Sequence, residues 1–410
     1  MLSPIAWLNA VTRTTFREIK CLVKNPGEVL VTFVFPLVWM LVVWGLLGRG
    51  VIEQVPVAMV DNDNTSVSRQ VALELSSIRA IKPLAVNTQA EALEELKKGT
   101  VYGIISIPFG YMKDTLSGRG SSISVYLDEN RYAVAGGIQG DVAGLMSTLK
   151  LQQTAKSSLA TGIGPDGAKR LVEVVHSDFY ALGNMGMNFN AFLGSNLIPG
   201  VLFLGSIFCF VTAIIREDYR KTIKDWLDNA DNSISAALVG KLAPHYFIYS
   251  LIILWYLALF AGQGGWAPSG SLFVWFASAL MCLAAFLGAA ILICAIAPTW
   301  RFALVVASGY AAPALPFTGF SIPTDSMSPL VQFFAELLPL TWFIKGQSQQ
   351  WVMGANVLDM GEIFSSLGLL IIIPLIFGIP LLKRKYFRKE KNLKADPVSL
   401  LSIFNKKRSS

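Results

Sequence analysis

Asn196-Leu-Ile-Pro-Gly-Val-Leu-Phe-Leu-Gly-Ser-Ile-Phe-Cys-Phe-Val-Thr-Ala-Ile-Ile215, followed at once by Arg216-Glu-Asp-Tyr-Arg-Lys-Thr-Ile-Lys-Asp-Trp226, decides the fold. A helix rises about 1.5 Å per residue, so roughly 20 uncharged residues cross a hydrocarbon core of about 30 Å. The abrupt change at Arg216 marks the return to water. Outward from this stretch the same pattern recurs at Val29 to Leu47, Ala243 to Phe260, Phe273 to Ile296, Phe302 to Phe320 and Phe364 to Leu382. The chain is therefore expected to be a polytopic α-helical membrane protein with six transmembrane helices.

Composition agrees. Hydrophobic residues make up 53% of the 410 and charged residues only 15%, which excludes both a simple soluble enzyme and a disordered chain. The net charge of +7 does not point to nucleic acid, because the basic residues lie beside apolar runs and are not interleaved with aromatics. Cys21, Cys209, Cys282 and Cys294 have neither the spacing of a zinc site nor that of a disulfide framework.

Basic residues in short segments set orientation. They cluster before the first span (Arg13, Arg17, Lys20, Lys24), between the second and third (Arg216, Arg220, Lys221, Lys224, Lys241) and after the last (Lys383, Arg384, Lys385, Arg388, Lys389, Lys391). Both termini are thus expected in the cytoplasm of a cell with the protein in its inner (plasma) membrane. The layout that follows is a cytoplasmic amphipathic interfacial helix over 1–28, a span over 29–47 and an extracytoplasmic domain over 48–190. A five-helix transmembrane domain over 191–382 comes next, with a cytoplasmic loop at 216–242 and an external loop at 321–363, and a basic cytoplasmic tail covers 383–410. In the first segment Ile5, Leu8, Thr12, Phe16, Ile19 and Val23 share a helical face suited to the lipid interface, with the basic residues on another.

The external segment has the pattern of a large mixed α/β domain. Val55 to Val60, Ile81 to Val86, Val101 to Ile107 and Ser122 to Leu127 read as strands. Asp61 to Thr65 supplies turn and cap residues for a helix through about Ser76, with Asp63 and Ser66 as the expected local capping and turn groups. Thr88 caps a second helix that stops at Gly99. A long amphipathic helix runs from Arg131 to about Ala160, with Ile138, Val142, Leu145 and Leu149 on one face. Gly136, Gly140 and Gly144 recur every fourth residue there, as close packing inside the domain would require.

Catalytic chemistry is not encoded. Gly200 and Gly205 have the spacing of a phosphate loop, but Ser206 stands where its lysine must be. His245, at a membrane edge, reads as a satisfied interfacial histidine and not as a proton relay. The spans carry essentially no charge in their central turns, where an ion-coupled pump needs it. No cofactor is expected, and any transport must be powered from outside the chain.

Four stretches carry a resemblance: Val55-Pro-Val-Ala-Met-Val-Asp-Asn-Asp-Asn-Thr-Ser-Val-Ser-Arg69, Arg216 to Trp226, Gly240-Lys-Leu-Ala-Pro244 and Leu338-Pro-Leu-Thr-Trp-Phe-Ile-Lys-Gly346. In this order they resemble the ABC type-2 permease family, the membrane subunits of ATP-driven exporters. In that family the first opens an extracytoplasmic domain and the second is the coupling region before the third span. The fourth belongs to short re-entrant helices. Lys221 stands where the family usually has glycine, although Thr222, Trp226 and Leu227 match.

The resemblance implies cytoplasmic ABC ATPase subunits as partners, a second permease copy or a paralogue, and a periplasmic adaptor as a further candidate. It assigns ATPase coupling to Arg216, Glu217, Tyr219, Thr222, Ile223, Trp226 and Leu227. Their apolar members have helical spacing within a charged rim, the pattern of an interface hot spot. Such a permease is not itself an enzyme, and its expected cargo is hydrophobic or amphipathic. The competing reading is a membrane-anchored receptor or assembly factor whose external domain binds a partner, although six spans exceed what an anchor needs.

Overall fold

A computed structural model describes residues 3–47, 54–116, 122–127, 136–149, 193–263, 269–320 and 324–395. The chain divides into two compact units, residues 49–190 and the remainder on either side of them. Helix α1 (Pro4–Lys24) begins at Ser3, whose hydroxyl accepts from the Ala6 amide at 3.2 Å, with Pro4 at the first helical position. It buries Ala10, Thr14, Glu18 and Leu22, a stripe of period four, and exposes Ile5, Leu8, Phe16, Ile19 and Val23. The first span α2 (Pro26–Leu46) contains a π-helical turn at Leu30–Val34 that carries the buried Thr32.

Residues 49–190 hold strand β1 (Val55–Asp61), helix α3 (Ser66–Ser76), β2 (Ile81–Ala85), α4 (Gln89–Lys98), β3 (Gly103–Ile107), α5 (Tyr111–Leu116), β4 (Ser124–Leu127) and helix α6 over 136–149. The sheet order is β2-β1-β3-β4, parallel except for β4 against β3. Val57, Ile105 and Ile107 pack with Val71 and Leu75 of α3 and with Ile138 and Val142 of α6. Ala58, Val60 and Ile104 pack with Ala92 of α4 on the other side. Burial on both faces is why all five residues of β3 are inside and why it reads as a continuous Gly-Ile-Ile-Ser-Ile run.

Two expectations for this unit change. The cap of α3 is Thr65, which accepts from the Ser68 amide at 3.2 Å while the Ser68 hydroxyl accepts from the Thr65 amide at 2.9 Å; Ser66 only opens the helix. Asp63 instead reaches across 47 residues, accepting from the Gly110 and Met112 amides at 2.8 and 3.0 Å at the start of α5. Those amides and the Thr65 hydroxyl outweigh desolvation and lower the Asp63 pKa. On α6, nothing among the described residues lies within 4 Å of where a Cβ would stand at Gly136 or Gly144, so no close approach between described residues accounts for these two glycines. The expected continuation of that helix to Ala160 lies outside the described residues.

The second unit continues with α7 (Ser195–Tyr219), α8 (Ile223–Asn229), α9 (Ile234–Ala258), α10 (Leu272–Ile296), α11 (Trp300–Ala311), α12 (Ala314–Phe317), α13 (Pro329–Glu336), α14 (Pro339–Ser348) and α15 (Gly361–Ala395). Among the described residues five helices are long and apolar enough to cross a membrane, those beginning at Pro26, Ser195, Ile234, Leu272 and Val357. The stretch Phe302 to Phe320 is not one continuous helix. It stops after Ala311 and resumes for a single turn, because Pro313 and Pro316 interrupt the hydrogen-bond ladder and Gly319 adopts φ +79°.

Helix α7 is the central element, packed against α9, α10 and α11. The last helix lies along α10, where Gly288 and Gly378 permit the approach: a Cβ at either would meet the opposite backbone at 3.2 and 3.1 Å.

Candidate functional site

The connection from α7 to α9 is mostly helical. After Tyr219 only Arg220, Lys221 and Thr222 intervene before α8, and α9 begins at Ile234 under a Ser233 cap. The reversal into α8 is made by Lys221 at φ +58° and by Thr222, whose amide and hydroxyl both return to Glu217.

Behind this connection lies a buried cluster of charged side chains. The last turn of α7 supplies Arg216 and Glu217, and α9 supplies Lys241 and His245 one turn apart. Glu18 comes from the buried stripe of α1, and Glu28 from the start of α2. Lys241 Nζ donates to Glu18 at 2.9 Å and to Glu217 at 2.6 Å. Arg216 bridges Glu18 and Glu28, while Arg17 makes a two-pronged pair with Glu217 at 2.9 Å on each arm. Three carboxylates thus face three buried or half-buried cations, with Arg220 reaching Glu28 at 3.3 Å from the exposed side.

Burial alone would raise the Glu18 pKa, and it is the largest single influence. The hydrogen bond from His245 and the charges of Lys241 and Arg216 outweigh it and hold this carboxyl well below the usual carboxylate range. An ionised Glu18 requires the proton of His245 to sit on Nε2, 3.0 Å from Oε1. In a neutral ring Nδ1 then accepts from the Cys209 thiol at 3.1 Å, and Thr32 Oγ1 lies 3.3 Å from the same sulfur. Both ring nitrogens are satisfied.

The connection itself is fastened by α1 and by the last helix. Arg13 bonds Asp231 at 2.5 Å and the Asn229 carbonyl at 3.2 Å, and the Trp7 indole donates to Ser235 at 3.1 Å. Lys389 pairs with Asp218 at 2.7 Å.

Of the seven residues expected to couple to a partner, five are inside. Arg216, Glu217, Ile223, Trp226 and Leu227 are each at most 2% exposed. Trp226 donates to the Ala237 carbonyl at 3.2 Å, packs edge-on against Tyr386 and lies 5.5 Å from the Lys241 ammonium. A direct contact surface made of Ile223, Trp226 and Leu227 is therefore corrected. Their spacing buries them against the chain's own core, and the same spacing would have served an interface. Tyr219 is 45% exposed, beside Trp300, and Thr222 is half-buried. The outward side chains are Lys221, Lys224, Asp225 and Asp228.

Glu18, Glu28, Lys241, His245 and Cys209 were not legible as a set. The available signals were an acidic residue on the period-four stripe Ala10, Thr14, Glu18, Leu22 and the four-residue spacing of Lys241 and His245.

The profile of proteins described as "ABC-2 family transporter protein" matches residues 28–382. The chain belongs to the ABC-2 transporter family. A relative from Escherichia coli (strain K12), "Probable multidrug ABC transporter permease YbhS", is 19% identical over 364 residues, covering 86% of this chain and 91% of the relative. The protein of the same name from Escherichia coli O157:H7 matches to the same extent.

Within this ABC-2 permease two motif positions acquire physical reasons. Lys221 occupies the left-handed region, which suits the glycine usual there. A Cβ at Gly240 would stand 2.6 Å from the Val11 carbonyl oxygen and 2.7 Å from Thr14 Cβ, so this glycine lets α1 cross α9 in backbone contact. In the Leu338 to Gly346 motif, Leu338, Leu340 and Phe343 are buried, and Phe343 packs edge-on against Trp275 and Phe203.

Proposed function

We propose that this permease is the membrane subunit of an ABC exporter that moves a hydrophobic or amphipathic substrate out of the cytoplasm or the inner leaflet. Separate ATPase subunits supply the energy, and a second copy or a paralogue completes the transmembrane pair. The observation that carries this reading is the fastening of the α7–α9 connection. Helix α8 has a polar outer face, and its inner face is locked through Trp226 and the buried charges to α1, α7, α9 and the last helix. Force applied to Lys224, Asp225 or Asp228 by a closing ATPase would therefore reach the spans and not be lost in a loose loop. The multidrug name of the Escherichia coli relative supports the substrate class.

In this reading the connection and both termini are cytoplasmic, and residues 49–190 lie outside the inner membrane, where an adaptor would meet them. The broken segment α11–α12 completes the sixth crossing, with α13 and α14 as short re-entrant helices. Arg216, Glu217, Thr222, Ile223, Trp226 and Leu227 act in coupling as the rigid inner support, and Tyr219 flanks the contact.

The test is co-purification and ATP hydrolysis of the permease with its ATPase. Charge reversal at Lys224, Asp225 and Asp228 should lower association or uncouple hydrolysis from transport without loss of membrane insertion. Unchanged association and transport would remove α8 as the contact. A reporter active only outside the cytoplasm, fused after Asp128 or Pro268, should be active, and one after Asn229 inactive; an active Asn229 fusion overturns the topology.

A further inference from the structure

We infer that the groove between α1, the first span and α9 is a binding site for one anionic phospholipid. The groove has a volume of about 550 Å³ and is lined by Ile19 and Val23 from α1, Val29 and Phe33 from α2, and Pro244 and Phe247 from α9. That volume is within the range of small-molecule sites. Its hydroxyl groups, those of Thr15 and Thr32, are already spent: Thr15 donates to the Val11 carbonyl at 2.9 Å, and Thr32 lies 3.3 Å from the Cys209 sulfur. Such a wall asks nothing polar of its occupant, which suits an acyl chain.

The headgroup preference comes from charge. Arg13 and Arg17 are paired with Asp231 and Glu217, and Glu28 is held by Arg216 and Arg220. Among the described residues Lys20 and Lys24 stand in no ion pair, and both are exposed. Each follows a groove-lining residue, Ile19 or Val23, by one position and so lies on the flank of the same helix. Long lysine side chains extend from an apolar surface to the headgroup level. The charge left unbalanced beside the groove is therefore positive, and its complement is a lipid phosphate without a compensating amine. A chain inserted in a bilayer meets such lipids from the side. The bound lipid would join α1 to the first span where the protein itself leaves a gap.

The attraction of one lysine to an anionic lipid surface corresponds to about fivefold in affinity, and two to about 25-fold at low ionic strength. The full-length protein in neutral detergent would be incubated with phosphatidylglycerol and phosphatidylcholine of identical acyl chains, and retained lipid counted by native mass spectrometry. The wild type should retain phosphatidylglycerol about 25-fold better. Lys20→Gln with Lys24→Gln, both exposed and outside the core, should bring the ratio near one. Phosphatidylglycerol with a photoreactive acyl chain should label the 29–33 and 243–248 segments. Equal retention of the two lipids by the wild type, an unchanged ratio in the double variant, or labelling confined to other segments would each overturn the proposal. None of these readouts depends on an ATPase, so the exporter reading stands or falls separately.

Discussion

Replacing Glu18 by alanine removes the carboxylate that accepts from Arg216, Lys241 and His245. Lys241 would keep only Glu217, and Arg216 its bond to Glu28 and a longer approach to Glu217 at 4.0 Å. A buried ion pair broken from one side costs about 3–5 kcal/mol, because the surviving charge stays desolvated. For a body of this size about 2 °C of midpoint shift accompanies each kcal/mol, so the transition should fall by about 6–10 °C. Tryptophan fluorescence suits the assay, since the fully buried Trp226 ring lies 5.5 Å from the Lys241 ammonium. Heating should be at one fixed scan rate, because unfolding of such a chain is governed by a barrier. Lys241→Met added to Glu18→Ala restores charge balance, and the double variant should lose about 1–3 kcal/mol less than the sum of the two single changes. A drop under about 2 °C for Glu18→Ala, or strict additivity in the cycle, would refute the cluster as a cooperative unit.

Lys221→Gly relieves the left-handed backbone at φ +58° and should raise stability by about 1 kcal/mol, whereas Lys221→Val should lower it; the same thermal scan checks both. Gly240→Ala drives a methyl into the Val11 carbonyl and should cost about 1–3 kcal/mol as overpacking. Gly368→Ala, with nothing among the described residues within 4 Å, should be neutral or stabilising, and equal behaviour of the two would contradict the α1–α9 contact. Acid should act through Glu18, whose folded carboxyl titrates below its unfolded value of roughly 4.3. Its contribution is complete at neutral pH and is lost as pH falls through the lowered folded value. Glu18→Gln should flatten that acid limb of a stability profile.

Periodicity and turn chemistry made the α/β elements legible. The four strands lie on the runs read for them from Val55, Ile81, Val101 and Ser122 onward, and Thr88 and Gly99 bound α4 because the first accepts from the Glu91 amide and the second adopts φ +75°. Long uncharged runs found the five long helices for a similar reason, since lipid demands length and composition together. The break after Ala311 was written in Pro313 and Pro316, yet an apolar count does not register it. The site was legible as a segment and not as an arrangement. Trp226 looks the same in sequence whether it faces a partner or Tyr386, and only its neighbours on α9 and the last helix decide. Glu18 and Lys241 are 223 residues apart, a pairing that no local pattern contains.

That separation orders events during synthesis. Chains emerge from the N-terminus, so α1 is made long before residues 216–245 exist. Until then Glu18 lacks Arg216, Lys241 and His245 and has its hydration only from water or the headgroup region, where α1's exposed apolar face can hold it. Docking of α1 onto α9, with Gly240 passing Val11, must therefore wait until residues 216–245 have been made. A chain truncated before Lys241 would carry an N-terminal helix without these partners, so the cluster can form only once synthesis has passed residue 245.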